Sequence, residues 1–480
     1  MNRYLTTTIP YVNGDPHIGF ALEIVQADAF ARALRAAGNE VFFSTGTDEH
    51  GSNILKKAHE AGEDPQAYAD RFSVRFEKLK TALDLSYDHF IRTTDPAHKA
   101  AAQEFWRRCA AAGDIYKKAY RVKYCVGCEL EKTDSELVNG RCPLHPTLEI
   151  ELRDEENYFF RFSAYEDKLT AFYRAHPDLV VPAFRLNEFT SLVEREGLQD
   201  FSISRLKEKM SWGVPMPDDE TQVMYVWFDA LVNYISALGW PENTAQFEKF
   251  WTDGKPVQFA GKDQVRQQAA MWQAMLMSAG LPPTRQIFIH GFITSGGARM
   301  SKTAGNTVDP FAYVEEYGTD ALRYFLLRHI HPFEDSDFTK ERFEEAYTAN
   351  LVNGVGNLVA RVMKLAEDNL SAPVTLTEED TAIEPAFLKH IEEFRFNEAM
   401  DLVWEHIGKG DTYMTEHAPY KKVKSGEESE KAEGRFEIEK LVRHVAKVAA
   451  HLVPVMPQTA ALILAAVKEN KKPENLFPRL

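Results

Sequence analysis

Tyr4-Leu5-Thr6-Thr7-Thr8-Ile9-Pro10 runs through Tyr11-Val12-Asn13-Gly14-Asp15-Pro16 into His17-Ile18-Gly19-Phe20, and this stretch decides how the chain is read. The first run is rich in β-formers and the second in turn residues. Beyond them Ile18, Leu22, Val25 and Ala29 recur at steps of four and three, the mark of a helix with one apolar stripe. A strand feeding a helix through such a turn presents the helix N-terminus, with its unpaired N–H groups, to a phosphate. His17 falls on the first turn and can aim a ring N–H at the same anion; Gly19 lets a nucleotide approach the backbone closely. Taken alone, the stretch also fits an ordinary strand–helix unit with a surface histidine.

Working outward, a second strand over Glu40–Thr45 ends at Gly46-Thr47-Asp48-Glu49-His50-Gly51. Polar residues at the carboxyl end of a parallel strand are where open α/β sheets place ligand groups. Helices are expected over about 65–84 and 95–112, and the alternation predicts a Rossmann-like, doubly wound parallel sheet. It breaks at Cys125-Val126-Gly127-Cys128, followed after thirteen residues by Cys142-Pro143-Leu144-His145. Two pairs of soft or borderline ligands with two-residue gaps suit tetrahedral zinc, and with Cys125, Cys128, Cys142 and His145 all filled by protein the site is structural. An apolar β pattern resumes over Gln222–Ala230. Further on, a strand at Gln286–His290 precedes the glycine-bearing, cationic Ser295–Thr303, which has no Walker pattern but can close Lys302 onto a polyphosphate. From 344 onward helical periodicity takes over, in Ala346–Lys364, Leu388–Met414 and Phe436–Val455, with acidic Ser425–Glu433 as an exposed connection.

The fold class expected is therefore α/β, a doubly wound parallel sheet split by a zinc-binding insertion and followed by an all-α bundle. Its parts are 1–115 and 221–305 for the two halves of a nucleotide-binding domain, 116–220 for the insertion, 306–345 for a linker and 346–480 for the bundle. The 480 residues, 44% hydrophobic and 27% charged, are those of a globular protein with ample core. No apolar run approaches the ~20 residues of a membrane span, so no membrane partner and a cytoplasmic location are expected. A net charge of −16 excludes a protein coated in nucleic acid but not a local basic surface. Four cysteines, three of them clustered, suit a reducing compartment and a metal.

His17-Ile18-Gly19-Phe20 resembles the HIGH motif of the class I aminoacyl-tRNA synthetases, and Arg299-Met300-Ser301-Lys302-Thr303 resembles their KMSKS loop. Gly46–Gly51, Phe201–Arg205, Trp212–Pro217 and Trp227–Tyr234 resemble the methionine-specific branch more than the leucine, isoleucine, valine or cysteine branches. The resemblance spans essentially the whole chain. It implies that methionine's carboxylate attacks the α-phosphorus of ATP, expelling pyrophosphate, and that the 3′-terminal ribose of tRNA(Met), initiator tRNA included, then takes the methionyl group. The catalytic set it implies is His17, Gly19 and Lys302. ATP, arriving with Mg2+ as substrate, is held by these with Phe20, Asp263, Ile293, Arg299 and Ser301. For methionine it implies Asp48 on the ammonium, and Ile9, Tyr11, Trp227, Ala230, Tyr234 and Gln268 around the side chain. Aromatic walls suit a polarizable thioether.

Some positions depart from the family pattern. Phe20 replaces the last histidine of HIGH, Arg299 and Thr303 the outer residues of KMSKS, and Gln268 a pocket histidine. In the bundle, Asn357 and Arg361 match an anticodon-reading pair, and Tyr420 stands where tryptophan is usual. Another class I synthetase or HIGH-motif nucleotidyltransferase is the rival class; a plain nucleotidyltransferase would lack the bundle and the zinc knuckle. A silent tRNA-binding relative would have lost His17, Asp48 or Lys302. The bundle runs to Leu480 with no oligonucleotide-binding barrel of the kind that dimerises some relatives, so a monomer is expected.

Overall fold

The computed structural model of the chain describes residues 1–128, 130–132, 136–300 and 306–479. Ser301, Lys302 and Thr303 lie outside the described residues. The chain forms two compact units.

The first unit comprises Met1–Asp15, Phe42–Lys78 and Tyr87–Ile289. Its central sheet has the strand order His89–Arg92, Glu40–Thr47, Asn2–Thr6, Lys255–Gly261, Gln286–His290, Val180–Val181. Ser44 lies opposite His89, Leu5 opposite Val257 and Ile287 opposite Val180, all in parallel pairs. The order reverses between Asn2–Thr6 and Lys255–Gly261, as in a doubly wound sheet, so the segments leaving those two strands stand where such sheets carry ligands. Val257, Phe259 and Ala260 are all fully buried, the near-continuous apolar run of a strand covered on both faces. Between the two halves an antiparallel sheet is built on the long pair Ile115–Cys125 and Glu151–Phe160, with Ile115 opposite Phe160. The short strand Val180–Val181, from the same intervening stretch, lies at the edge of the central sheet.

The β pattern expected over Gln222–Ala230 holds only for Gln222–Met224; Val226–Leu231 is a helix. Phe228 packs edge-on to Trp106 at 5.2 Å and to Phe105 at 5.8 Å between ring centres. A run buried on nearly every side has no periodicity to reveal its type.

The second unit comprises Pro16–Val41, Leu79–Ser86 and His290–Leu480. The helix Ile18–Ala36 is buried on nearly all faces rather than along one stripe, so it buries Glu23, Gln26 and Asp28 as well. Buried charges need partners. Arg323, itself fully buried, meets Asp28 at 2.8 Å and donates to the carbonyls of Leu83 and Val455 at 3.0 and 2.9 Å. His290 meets Glu23 at 2.9 Å. Glu428–Leu452 packs against Asn357–Asn369, Phe396–His417 and Pro457–Glu469 to form the bundle.

Two local expectations are corrected in the bundle. The single helix expected over Leu388–Met414 is two, Pro385–Glu392 and Phe396–His417, separated where Phe394 takes φ 58°. The acidic stretch expected as a connection instead opens the helix at Glu428, where carboxylates favour the positive end of the helix dipole.

Candidate functional site

In the second unit, His17 is the N-cap of Ile18–Ala36, and its Nδ1 accepts from the Gly19 N–H at 3.1 Å. That nitrogen therefore carries no proton, and a neutral ring keeps its N–H at Nε2. The Ile18 N–H donates to Val308 O at 3.0 Å and the Phe20 N–H to His17 O at 3.0 Å. The expectation of unpaired N–H groups at this terminus is thus corrected: the first three are satisfied internally, because the histidine cap and the loop at Val308 fold onto them. The helix dipole and the His17 imidazole remain for an anion. A Cβ at Gly19 would come within 2.9 Å of His17 Cε1 and 3.0 Å of Nδ1, so glycine is required for the ring to lie where it does. Phe20 is half-buried in the first turn, Ile293 is buried in the strand Ile293–Ser295, and the backbone of Arg299 closes the short strand Ala298–Arg299.

In the first unit, Asp48 is buried and its backbone is bridged to the loop after the first strand. Its N–H donates to Pro10 O at 2.9 Å and its carbonyl accepts from Val12 N–H at 3.2 Å. Ile9 and Tyr11, both half-buried, lie in that loop, and Tyr11 meets Trp227 edge-on at 6.4 Å. The residues after Asp48 are pinned. Buried Glu49 accepts from Arg92 Nε and Nη2 at 2.7 and 2.8 Å and from Thr47 Oγ1 at 2.7 Å. His50 Nδ1 lies 2.6 Å from Asp229 Oδ2, and His98 Nε2 2.8 Å from Asp229 Oδ1. Burial alone would raise the Asp229 carboxyl, but the two histidines outweigh it and bring it down to about 2. Its contribution to stability is therefore fully present above the ordinary aspartate range near ~4 and lost only as pH falls through that depressed value.

Ala230 and Tyr234 are buried. Gln268 sits on the π-helical turn Arg266–Met271, a geometry often found at functional sites. Its Nε2 donates to the Tyr234 hydroxyl oxygen at 2.6 Å and its Oε1 accepts from Gln258 Nε2 at 3.2 Å. Asp263 is exposed on the turn that leaves Lys255–Gly261. The structure thus brings Tyr11, Asp48 and Trp227 into one group and pairs Tyr234 with Gln268. His98, Gln258 and the Asp229 hub went unread in the sequence, since a histidine in a helical run and glutamines in apolar ones have no distinctive spacing.

The atoms that Cys125, Cys128, Cys142 and His145 offer lie within 4.8 Å of one another. Cys128 Sγ is 3.3 Å from Cys142 Sγ and 3.2 Å from His145 Nδ1, and Cys142 Sγ is 3.9 Å from that nitrogen. Ligands about 2.0–2.3 Å from a tetrahedral ion are separated by roughly 3.3–3.8 Å, so the set fits a zinc-sized cation. A Cβ at Gly127 would strike the His145 ring at 2.4 Å, so glycine admits the fourth ligand. Burial opposes ionisation of both Cys142 and Cys128; hydrogen bonds from His145, Cys128 and the Leu144 backbone outweigh it at Cys142 and draw that thiol down, while burial and the contact with Cys142 push Cys128 up, so the two thiols titrate as one pair. A second group, Glu384, His406 and His451, is already satisfied. Glu384 meets Lys447 at 2.8 Å and His406 at 3.2 Å, and His451 Nε2 accepts from the Glu384 N–H at 3.0 Å.

In the bundle, Arg361 and Tyr420 line one cavity of about 480 Å³ with Lys364, Leu365, Met414 and Lys472. Asn357 is exposed one turn earlier on the same helix. Arg361 Nη1 is 3.0 Å from Asp411 Oδ1, and the Lys421 ammonium stands 6.0 Å from the centre of the Tyr420 ring. Lys364 and Lys472 went unread in the sequence; only the three-residue step from Arg361 to Lys364 signals a shared helix face. Among the described residues no helix is long and apolar enough to cross a membrane.

The family model described as tRNA synthetases class I (M) matches residues 3–147 and 146–363. The methionine–tRNA ligase of Thermosynechococcus vestitus is 40% identical over 474 residues, covering 96% of this chain and 88% of that protein. That of Thermotoga maritima is 39% identical over 487 residues, covering 98% of this chain and 76% of that protein. The solved structure of Mycobacterium tuberculosis methionyl-tRNA synthetase bound by methionyl-adenylate superposes with a TM-score of 0.89 at 36% identity, covering 100% of this chain and 99% of that one. With a doubly wound sheet, a helix bundle and near full-length identity of this size, the chain belongs to the class I tRNA synthetases, in their methionyl branch.

Proposed function

We propose that this chain activates methionine with ATP to methionyl-adenylate and pyrophosphate, then transfers the methionyl group to the 3′ end of tRNA(Met), initiator tRNA included. The observation that carries this is the coincidence of full-length family membership with a buried, backbone-anchored Asp48 beside the aromatic pair Tyr11 and Trp227. Asp48 takes the substrate ammonium. Ile9, Tyr11, Trp227, Ala230 and Tyr234 enclose the thioether, and Gln268 holds the Tyr234 hydroxyl. Activation needs in-line placement and neutralised phosphate charge more than an acid or base. His17 Nε2–H and the helix dipole address the triphosphate, Gly19 leaves room for the histidine ring, and Phe20, Asp263 and Ile293 border the nucleotide. Arg299, Ser301 and Lys302 supply charge and hydroxyl to the polyphosphate, with Mg2+ arriving on ATP. A ribose hydroxyl of tRNA then attacks the adenylate carbonyl, and AMP leaves.

ATP–pyrophosphate exchange against all twenty amino acids tests this reading. Methionine alone is expected to support rapid exchange; exchange with another amino acid, or none, overturns it in favour of another class I synthetase or a plain nucleotidyltransferase. The functional parts proposed are catalytic halves at 1–115 and 221–305, insertion at 116–220, stem-contact linker at 306–345 and anticodon-binding bundle at 346–480, working as a monomer in the cytoplasm.

Zinc is the cation proposed for Cys125, Cys128, Cys142 and His145, where it cross-links a turn-rich segment and takes no part in the reaction. Elemental analysis is expected to find one zinc per chain, and Cys142→Ala to release it and lower the melting temperature. A fully active preparation that never contained metal overturns this.

The bundle cavity is proposed to seat an anticodon base. Tyr420 supplies a stacking face, Asn357 and Arg361 the edge contacts, and Lys364 and Lys472 charge for the backbone. Stacking is worth about 1–3 kcal/mol per base. Arg361→Ala and Tyr420→Ala are therefore expected to cut charging of CAU-bearing tRNA roughly 10- to 100-fold while leaving pyrophosphate exchange within about twofold. Equal losses in both assays would mark a folding defect instead.

A further inference from the structure

Asp229 lies in the chain between Trp227 and Ala230, and its side chain is fully buried. Both carboxylate oxygens are taken by histidines from other segments. His50, at 2.6 Å, stands two residues after Asp48 on the loop that follows the second strand. His98, at 2.8 Å, comes from the helix Pro96–Ala111, and its other ring nitrogen meets the hydroxyl of Ser236, two residues beyond Tyr234, at 2.8 Å. His50 is also closed in by Trp212, edge-on at 5.6 Å. One carboxylate therefore ties together the loop bearing Asp48, the helix Val226–Leu231 bearing Trp227 and Ala230, and the turn Asn233–Ser236 bearing Tyr234.

A buried charge is a costly way to join three segments; apolar side chains of similar volume would hold them as well or better. What a carboxylate with two fixed acceptors adds is direction. It sets the orientation of both imidazole rings, and through them the backbone on which the binding residues stand.

We propose that Asp229 is a positioning residue for methionine, acting through His50 and His98 to hold Asp48, Trp227 and Tyr234 in the one arrangement that fits the amino acid. This rests on the methionine pocket proposed above. Asp229 itself touches no substrate. Its loss should therefore loosen the amino-acid subsite and leave the nucleotide subsite alone, which a general stabilising role would not do.

The test is steady-state ATP–pyrophosphate exchange with Asp229→Asn and His98→Gln, alongside thermal melting and calorimetric titration with methionine alone. Asn conserves volume but presents an N–H2 to one of the two histidines, so it breaks the relay without opening a cavity. The expected result is a methionine KM at least tenfold higher, a weaker methionine Kd by a similar factor and an ATP KM within twofold of wild type. His98→Gln, which restores an amide donor toward Asp229, is expected to lie between Asp229→Asn and wild type. A folded Asp229→Asn with wild-type methionine KM and Kd overturns the proposal. So does a parallel rise of both KM values with a fall in melting temperature, which is the mark of structural support only. Wild-type exchange is read separately: its absence with methionine overturns the proposed function and this inference together, whereas its presence beside an unaltered Asp229→Asn overturns the inference alone.

Discussion

Asp48→Asn is expected to lower kcat/KM for methionine in pyrophosphate exchange by about two to three orders of magnitude, with the ATP KM little changed. Removing one partner of a buried, charge-assisted contact costs about 2–5 kcal/mol, because the ammonium left behind is neither paired nor hydrated. The site is rigid enough to show the full effect. Asp48 is held by backbone bonds to Pro10 and Val12, and its neighbour Glu49 is fixed bidentately by Arg92. Glu49 and Asp229 cannot swing in to replace it, since both are committed to other partners. Because Asn is isosteric, melting should change little. Wild-type exchange by this variant would remove Asp48 from the substrate site.

Gly19→Ala should slow adenylate formation by roughly 10²–10³-fold, the usual consequence of losing one aligned transition-state donor. The new Cβ would stand 2.9 Å from His17 Cε1, so the ring must rotate away and its bond from the Gly19 N–H is lost. Rotation of a ring at its free end costs the fold little, and alanine suits a helix better than glycine. The lost cap bond roughly offsets that gain, so the variant should melt close to wild type, bind methionine normally and fail in the chemical step. His17→Asn should show a similar defect. The double variant should be hardly worse than either single one, since both remove one contact. Rapid-quench measurement of adenylate formation at saturating methionine reads this directly. Additive losses would show that Gly19 acts on the nucleotide independently of His17.

The motifs were legible because each depends on chemistry local to a few consecutive residues. His17 and Gly19 are two apart, the Cys/His pairs have two-residue gaps, and Asp48 sits where a β run gives way to polar residues. The same locality explains the errors. The first residues of Val226–Leu231 carry a strand-like apolar run because near-complete burial erases the alternation that separates the two. The break at Phe394 is hidden because buried residues recur at helical spacing on both sides of it, Phe387 and Ile391 before and Phe396, Ala399, Met400 and Val403 after.

The sequence by itself determined the alternation of strands and helices, the paired Cys/His spacing and the helical bundle that follows, and the family resemblance supplied the residues proposed for amino acid and nucleotide. Hydrophobic period, turn chemistry and ligand spacing are written in neighbouring residues. Only the tertiary structure decided which of those residues meet. It turned the His17 ring back onto its own helix and satisfied the first N–H groups there. It gathered His50, His98 and Asp229 from positions up to 179 residues apart into one buried relay. It also set Lys364 and Lys472 around Tyr420. Hydrogen-bond partners across such separations are chosen by burial, which forces each polar group to find a mate among whatever the fold brings near, and nothing in the local sequence records that choice.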